Sequence, residues 1–461
     1  MLGVNRTTVV NAYRELAAEG LVEARVGSGT VVCAPPALAE APRPVRPFPW
    51  PEHFAPPSLW RYQPGLDQVM SLCARPDIIS LAGGIPAPES YPVAEFREII
   101  AAGLAEQGAA LLQPTPTTGY YPLREWLAAR LTQRGAQVHS ANVLILSGSQ
   151  QGLDLVARAL LEPGDLVISE VPLYLGALQP FGAMGVRLRG VPVDEKGMRL
   201  DVLESLLRRQ RPKLIYTLPT FQNPTGVTLS LERREQLLAL AQRYEVPILE
   251  DDPYGELWYD EPPPPPIKAL DRHGYVIYLS TFSKMLFPGL RIGWLAAPQP
   301  VVERLARVKQ GADLHTNTLG QWAVAEFCRR GLLEPHLERI RPLYRQRREA
   351  MLRALEKHAP AGLRWNRPGG GFYLWCRLPE GVRARELLEA AGQEGVAFVS
   401  GDVFFPDERG QDHIRLNFSF PDEKAIAEGV RRLCTALKQL LERRQAEEEV
   451  RRAELAAGPI V

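Results

Sequence analysis

Short apolar runs alternate with stretches of helical periodicity from about residue 58 onward. The apolar runs are typical of buried strands: Val143–Leu146, Leu166–Ser169, Leu214–Thr217, Pro247–Glu250, Val276–Leu279 and Ile292–Leu295. The stretches between them predict helices near 93–108, 122–134, 150–161, 200–209, 230–244 and 301–309. Strands that alternate with helices predict an α/β fold with a mostly parallel sheet between helices. In such a fold, polar residues at the carboxyl ends of the strands lie close together.

The pattern changes near residue 330. It then predicts a long Arg-rich helix near 335–357, strands near 372–378 and 413–419, and helices near 384–394 and 422–442. We interpret this part as a smaller α+β region that completes one folded domain over residues 58–442. Residues 443–461 are rich in Glu and Arg at their start and read as a solvated tail, to which no function is assigned.

The amino-terminal residues 1–34 have a pattern of their own. Asn5 is a good cap for a helix over Arg6–Glu19, and a glycine turn then joins two short strands, Leu21–Val26 and Thr30–Val32. A helix followed by a small hairpin is the second half of a winged helix-turn-helix. Candidate donors to DNA phosphates and base edges occupy the polar face and the wing: Arg6, Thr7, Thr8, Asn11, Arg14 and Arg25. The alternative is an amphipathic surface helix without a nucleic-acid role.

Residues 35–57 contain a high density of proline, including Pro35-Pro36 and Pro56-Pro57. Proline-rich segments favour an extended conformation and form semi-rigid spacers. We therefore place a linker between the amino-terminal module and the α/β domain.

Composition narrows the classes of protein that fit. The 461 residues are 45% hydrophobic and 23% charged, and the net charge of +1 argues against a globally basic nucleic-acid binder. The five cysteines are scattered and form no Cys-x-x-Cys pair, which favours reduced packing thiols and no metal site. No stretch of about 20 apolar residues is present to span a membrane, and no apolar leader begins the chain. We expect a cytoplasmic protein.

Candidate chemistry centres on Lys284, which follows the apolar run Val276–Leu279. A lone lysine after a strand is usually solvated. Here Thr281 and Ser283 lie just upstream and Arg291 lies just downstream, so an amine, two hydroxyls and a guanidinium are available to one phosphorylated aldehyde. This grouping predicts a pyridoxal 5'-phosphate site.

Further polar residues follow the other strands. Gly148-Ser149-Gln150 opens a helix whose free N–H groups suit a phosphate, although a simple capped helix start has the same pattern. Tyr174 is suited to stack on an aromatic ring or to be a structural tyrosine. Asn223 begins Asn-Pro-Thr-Gly, which is first of all a turn signal. Asp251 is placed to pair with a pyridine nitrogen, or to be an ordinary solvated carboxylate.

Taken together, these motifs resemble the fold-type I pyridoxal-phosphate aminotransferases, most closely the aminoadipate and aromatic subgroup. The resemblance extends from Leu81-Ala82-Gly83-Gly84 to Ile414-Arg415-Leu416-Asn417, over about residues 75–435. It implies a large domain with a mostly parallel sheet between helices and a smaller α+β domain. It also implies a homodimer.

The resemblance assigns roles to individual residues. Lys284 becomes the lysine that carries the cofactor, and Asp251 holds the pyridine nitrogen. Asn223 and Tyr254 hold the ring oxygen, and Tyr174 stacks on the ring. The remaining assignments are phosphate binding by Ser149, Gln150, Thr281, Ser283 and Arg291, and substrate binding by Gly84 and Arg415.

One position departs from the family pattern. Where the family has a tyrosine that reaches the phosphate of the partner subunit, this chain has Pro114, ahead of Gly119. Tyr120 and Tyr121 are the neighbouring aromatic residues.

The segment Leu2–Val22, with Gly27–Val32 after it, resembles the recognition helix and wing of GntR-family transcriptional regulators. That family has two further helices before the recognition helix, so we expect DNA binding to require residues upstream of Met1. A GntR-type module joined to an aminotransferase-like domain is the arrangement of MocR-type regulators.

Three functions fit these expectations. The leading hypothesis is a pyridoxal-phosphate-dependent transcriptional regulator that senses an amino acid. The second is an aminotransferase that moves an amino group between an amino acid and a 2-oxo acid, with Lys284 as general acid and base. The third is a scaffold that binds cofactor without turnover or DNA.

Overall fold

The computed structural model describes residues 3–33, 50, 77–407 and 409–457. The chain divides into two compact units, Met1–Pro57 and Ser58–Val461. Apart from Trp50, the predicted linker over residues 35–57 lies outside the described residues.

Over residues 3–33, the first unit contains one helix and one hairpin. Helix α1 (Arg6–Ala18) begins at Asn5, whose Oδ1 accepts a hydrogen bond from the Thr7 N–H at 3.1 Å. Strands β1 (Val22–Arg25) and β2 (Gly29–Val32) pair antiparallel. The predicted helix and hairpin are confirmed. No residue of α1 is buried within this unit.

The second unit is built on an eight-stranded sheet with the order β4-β11-β10-β9-β8-β5-β6-β7. Its strands are β4 (Val143–Leu146), β5 (Leu166–Val171), β6 (Arg187–Asp194), β7 (Gly197–Met198), β8 (Leu214–Thr217), β9 (Ile248–Asp251), β10 (Val276–Thr281) and β11 (Gly293–Ala296). Strands β6, β5, β8, β9 and β10 run parallel, and β11 pairs antiparallel with β10 and β4. The mostly parallel sheet and the six predicted strands are confirmed.

Helices cover both faces of this sheet: α2 (Val93–Gln107), α3 (Tyr121–Gln133), α4 (Ser149–Leu160), α5 (Leu175–Ala183), α6 (Leu200–Arg209), α7 (Leu231–Tyr244), α8 (Ile267–Leu270), α9 (Gln299–Asp313) and α10 (Thr318–Arg329). Alternate residues of a strand enter different apolar clusters because successive side chains point to opposite faces. Leu144 and Leu146 pack with α4 and α9, whereas Val143 and Ile145 pack in the cluster that contains α3 and α10.

The sequence pattern did not predict five of these elements, of which β7 and α8 are only two and four residues long. Strand β6 was missed because its burial alternates and it lacks a continuous apolar run. Helix α10 was missed because eight of its twelve residues are buried, so it has no polar face to mark a helical period. Helix α5 was also missed, and Pro180 lies within it.

The carboxyl-terminal part of the second unit is α+β, as predicted. Its elements are α11 (Leu333–His358), β12 (Arg364–Trp365), β13 (Tyr373–Arg377), α12 (Ala384–Gln393), β14 (Val396–Ala397), β15 (Val399–Ser400), β16 (His413–Asn417) and α13 (Glu423–Ala457). Four strands form a sheet in the order β12-β13-β16-β15, and β14 pairs with β3 (Ile79–Ser80). This pairing ties the start of the second unit to its end.

Within the described ranges, no helix is long and apolar enough to cross a membrane.

Candidate active site

A cavity lies at the carboxyl ends of the parallel strands. Its open volume is about 260 Å³, and it is lined by Ser149, Tyr174, Leu218, Asn223, Asp251, Pro253, Tyr254 and Lys284. Six of these eight residues were predicted from their positions after strands or at the start of a helix. The fold therefore brings residues 135 positions apart in the sequence, Ser149 to Lys284, into one cavity.

Lys284 follows β10, and its Nζ donates a hydrogen bond to the Gly84 carbonyl oxygen at 2.6 Å. Burial lowers the pKa of this amine. The charges of Arg415 and Arg291 act in the same direction, while Tyr373 and Asp251 oppose it. A lowered pKa increases the fraction of neutral amine, which is the nucleophilic form.

Asp251 is the last residue of β9 and is 1% exposed. Its Oδ2 accepts a hydrogen bond from the Tyr216 hydroxyl at 2.9 Å, whereas its Oδ1 has no partner among the described residues. Burial raises the pKa of Asp251 to about 7. A buried carboxylate oxygen without a partner is costly, so this oxygen is suited to accept from a cationic N–H donor placed in the cavity.

Arg415, on β16, reaches the cavity wall from the smaller sheet. Its Nη1 donates to Asn223 Oδ1 at 2.8 Å and its Nη2 donates to the Ala82 carbonyl oxygen at 2.8 Å. Its Nε has no partner among the described residues. The guanidinium carbon lies 4.2 Å from the centroid of the Tyr373 ring. The site thus presents a buried cation beside Asn223, as expected for a group that binds a carboxylate.

The amino terminus of α4 forms the other end of the site. Gly148 precedes it with φ +86°, and Arg291 follows β10 and the 3-10 turn Pro288–Leu290 with φ +53°. A Cβ on Gly148 would lie 2.4 Å from Arg291 Nη2, and a Cβ on Gly293 would lie 2.7 Å from the Ser149 nitrogen. The two glycines therefore allow the guanidinium and the free N–H groups of the helix to approach each other, which is a suitable arrangement for an anion.

The other predicted phosphate ligands lie around this end. Thr281 Oγ1 donates to Ser283 Oγ at 2.9 Å, and it also accepts from the Ser283 N–H at 3.1 Å. Gln150 Nε2 donates to the Gly176 carbonyl oxygen at 2.6 Å, which joins α4 to the start of α5, where Tyr174 is the capping residue. Burial raises the pKa of Tyr174 well above its ordinary value, so its hydroxyl stays protonated.

Two functional residues were missed by sequence reasoning. Tyr216 supports Asp251, and the Tyr373 hydroxyl accepts a hydrogen bond from the Tyr254 hydroxyl at 3.2 Å. Strand register contained a signal for the first. Tyr216 pairs with Leu249, two residues before Asp251, so the side chains of Tyr216 and Asp251 share a face of the sheet. Without the strand register, neither Tyr216 nor Tyr373 can be distinguished from the other apolar and aromatic residues of its strand.

The neighbours of Pro114 make local contacts. The Tyr120 N–H donates to Gln321 Oε1 at 2.7 Å, and the Tyr121 hydroxyl donates to Glu125 at 3.1 Å. Tyr121 is 53% exposed. Neither residue lines the cavity within this chain.

The predicted DNA-contacting residues of the first unit are all exposed: Arg6, Thr7, Thr8, Asn11, Arg14 and Arg25. Arg25 forms a surface ion pair with Glu23 at 3.4 Å. Arg6 and Arg14 have no ion pair with any described residue, so both are available to a phosphate.

Comparison with known proteins identifies the family. Residues 76–433 match the family described as "Aminotransferase class I and II". The chain belongs to this family. Residues 1–32 match "Bacterial regulatory proteins, gntR family". The chain therefore joins a GntR-type segment to a class I and II aminotransferase domain, the arrangement of MocR-type regulators.

Two relatives and one solved structure illustrate both parts. Aromatic-amino-acid aminotransferase 1 of Thermococcus litoralis is 42% identical over 84% of this chain and 94% of its own length. The probable rhizopine catabolism regulatory protein MocR of Rhizobium meliloti is 30% identical over 95% of this chain and 87% of its own length. The crystal structure of LysN, the alpha-aminoadipate aminotransferase of Thermus thermophilus complexed with N-(5'-phosphopyridoxyl)-L-leucine, has a TM-score of 0.80 and 41% identity, and covers 86% of this chain and all of that one.

Pyridoxal phosphate is the cofactor of this fold-type I domain. The residues of this chain fit it. Asp251 Oδ1 lacks a partner among the described residues, burial lowers the pKa of Lys284, and Arg291 lies against the free end of α4.

Proposed function

We propose that this protein is a DNA-binding transcriptional regulator of the GntR/MocR type, whose aminotransferase-like domain binds pyridoxal phosphate and responds to an amino acid or 2-oxo acid. The observation that carries the proposal is the exposed polar face of α1, with Arg6 and Arg14 free of ion pairs to any described residue, in the same chain as the cofactor cavity. Free guanidinium groups on a recognition helix are suited to bind DNA phosphates and base edges.

The cavity residues would hold the cofactor as follows. Asp251 Oδ1 would accept from its pyridine N–H, Asn223 and Tyr254 would hold its ring oxygen, and Tyr174 would lie against the ring. Ser149, Gln150, Thr281, Ser283 and Arg291 would hold the phosphate. When bound, pyridoxal phosphate supplies an electron sink for bonds at the α-carbon of an amino acid.

Lys284 carries the cofactor and is the base that moves the α-proton. Its lowered pKa makes the neutral amine more available than in an ordinary lysine. Arg415 binds the α-carboxylate of the incoming amino acid, and Gly84 leaves room for that substrate beside Lys284.

DNA binding is tested by selection from random duplex DNA, with protein expressed from Met1 and from any in-frame start codon upstream. We expect an enriched sequence whose binding weakens with salt. Arg14→Ala should lower the slope of log affinity against log salt by about one. Glu15→Ala, at the next position of α1, is the matched control and should not lower it. Failure to enrich any sequence in either protein would refute DNA recognition.

A second candidate is an active aminotransferase. The observation that favours it is that six of the predicted polar residues line one cavity, including Lys284 with its amine. Incubation with aromatic amino acids or 2-aminoadipate, together with 2-oxoglutarate, should give product and cycle the absorbance of the bound cofactor. If no amino acid gives product, transamination is not the main role.

Attachment of the cofactor has a separate test. Borohydride should trap a pyridoxyl group on Lys284, and Lys284→Ala should lose the label. Lys213→Ala removes an exposed lysine as the control and should keep it. Label on another lysine would contradict the assignment.

We also propose that the protein is a homodimer, which its resemblance to the fold-type I aminotransferases implies, and that it is cytoplasmic, as expected from its sequence. Light scattering of the protein with bound cofactor should give the mass of two chains, and the mass of one chain would contradict the proposal.

A further inference from the structure

Tyr373 lies where three parts of the site meet. It is on β13, is 2% exposed, and its ring lies beneath the guanidinium of Arg415. A Cβ on Gly84 would lie 2.0 Å from the Tyr373 hydroxyl oxygen. Because Lys284 Nζ donates to the Gly84 carbonyl, the tyrosine hydroxyl lies beside the backbone group that holds the lysine.

The hydroxyl of Tyr373 does not donate a hydrogen bond to any described residue. It accepts a hydrogen bond from the Tyr254 hydroxyl at 3.2 Å, and no described residue accepts its own hydrogen. A phenolic O–H both accepts and donates. In the structure, Tyr216 donates to Asp251 and Tyr254 donates to Tyr373. When Tyr254 turns its hydrogen to the ring oxygen of the cofactor, as proposed above, the hydroxyl of Tyr373 still has a hydrogen that an added ligand can accept.

Arg415 also has an N–H donor without a partner among the described residues. Its Nη1 and Nη2 are each engaged at 2.8 Å by an oxygen of the protein, and its Nε has no partner among the described residues. A carboxylate has two oxygens, each able to accept more than one hydrogen bond. Because part of the guanidinium is already engaged by the protein, Arg415 alone does not fill all the acceptor positions of a bound carboxylate. A second donor can therefore bind the same carboxylate.

We propose that Tyr373 is a substrate-binding residue that donates from its hydroxyl to the α-carboxylate bound by Arg415, while its ring holds the guanidinium in place. This inference rests on the proposed binding of an amino acid at Arg415. It adds a hydrogen bond that depends on the carboxylate alone and not on the amine or the side chain of the substrate.

The test uses Tyr373→Phe in the protein loaded with pyridoxal phosphate, because phenylalanine keeps the ring under Arg415 and removes only the hydroxyl. The ligands are two pairs that differ in the α-carboxylate: L-phenylalanine with 2-phenylethylamine, and L-2-aminoadipate with 5-aminopentanoate. Each is titrated while the absorbance of the bound cofactor is followed. This readout measures binding and requires no turnover.

We expect Tyr373→Phe to weaken the amino acid of each responsive pair by about tenfold, the loss of one hydrogen bond to a charged acceptor. The matched amine should bind as it does to the wild type. Tyr344→Phe is the control: it removes another buried tyrosine hydroxyl, bonded to the Ala87 N–H and to Ser90 at 3.1 Å, and should weaken neither ligand.

Three outcomes overturn the inference. If Tyr373→Phe and the wild type bind the amino acid with equal affinity, the proposed hydrogen bond does not exist, and the proposed function is unaffected. Equal weakening of amino acid and amine assigns Tyr373 a packing role. A wild-type protein that responds to none of the four ligands refutes the proposed amino-acid site, and the role of Tyr373 with it.

Discussion

Two adjacent carboxylates, Asp251 and Asp252, have different surroundings because successive residues of a strand point to opposite faces. Asp251 enters the cofactor cavity with one oxygen that has no partner among the described residues. Asp252 does not line that cavity: its Oδ2 accepts from the Tyr278 hydroxyl at 2.8 Å and from Arg134 at 3.4 Å, while its Oδ1, like that of Asp251, has no partner among the described residues. The position of a single residue relative to the pleat therefore decides which carboxylate is available to the cofactor.

The raised pKa of Asp251 predicts how the stability of the cofactor-free protein depends on pH. Burial raises the pKa of Asp251, and that of Glu250, to about 7. At these two groups the folded state binds protons that the unfolded state has already released, so their contribution to stability falls as pH rises from about 4 to about 7. We expect Asp251→Asn to reduce the loss between pH 5 and pH 7 by on the order of 1–3 kcal/mol, measured by urea unfolding.

The control for this prediction is Asp201→Asn. The hydrogen bond from Arg199 lowers the pKa of Asp201, which is fully exposed, so its titration lies below this window. It should leave the pH dependence as in the wild type. If the free energy of unfolding of Asp251→Asn depends on pH as it does in the wild type, the carboxyl of Asp251 does not titrate between pH 5 and pH 7.

At the level of elements, the junction between β4 and α4 positions the phosphate end of the site. Gly148 has a positive φ and faces Arg291. An added Cβ moves the guanidinium aside, because the end of an arginine side chain is easier to displace than the backbone. The backbone conformation of Gly148, φ +86° and ψ +162°, is essentially restricted to glycine, so another residue there costs about 1–3 kcal/mol.

Gly148→Ala and Gly164→Ala separate these two effects. Gly164 has φ +89° with no heavy atom within 4 Å of an added Cβ, so it carries the backbone cost alone. We expect a similar loss of stability in both variants, and about tenfold weaker binding of pyridoxal phosphate only in Gly148→Ala. Binding of pyridoxal, which lacks the phosphate, should not distinguish them. If both variants bind pyridoxal phosphate equally well, Arg291 does not hold the phosphate.

The sequence was informative about elements with a marked pattern. It predicted the buried strands and, from residues placed after them, most of the cavity lining. Residues within strands were harder to assign. Tyr216 and Tyr373 look like ordinary core aromatics until strand register places their hydroxyls beside Asp251 and Tyr254. Helix α10 was hidden for a related reason, because an element buried on all sides lacks the polar positions that reveal a period.

For the whole molecule, the two units carry different chemistry. The exposed guanidinium groups that we assign to DNA belong to the first unit, whereas every residue of the cofactor cavity belongs to the second. The β14–β3 pairing and the helices around the sheet complete the second unit with its own core. Among the described residues, all those that line the cavity belong to the second unit.

This separation predicts the result of deleting residues 1–57. The shortened protein should bind pyridoxal phosphate with the affinity of the full chain and respond to the same amino acids, because the lining of the cavity is retained. It should lose all binding to the selected DNA, because Arg6 and Arg14 are removed. Cofactor absorbance and a mobility-shift assay on the same preparations measure both properties, with Arg6→Ala/Arg14→Ala in the full chain as the control for DNA binding. Loss of cofactor affinity on deletion would show that the first unit contributes to the site, and retained DNA binding would place the DNA-binding surface in the second unit.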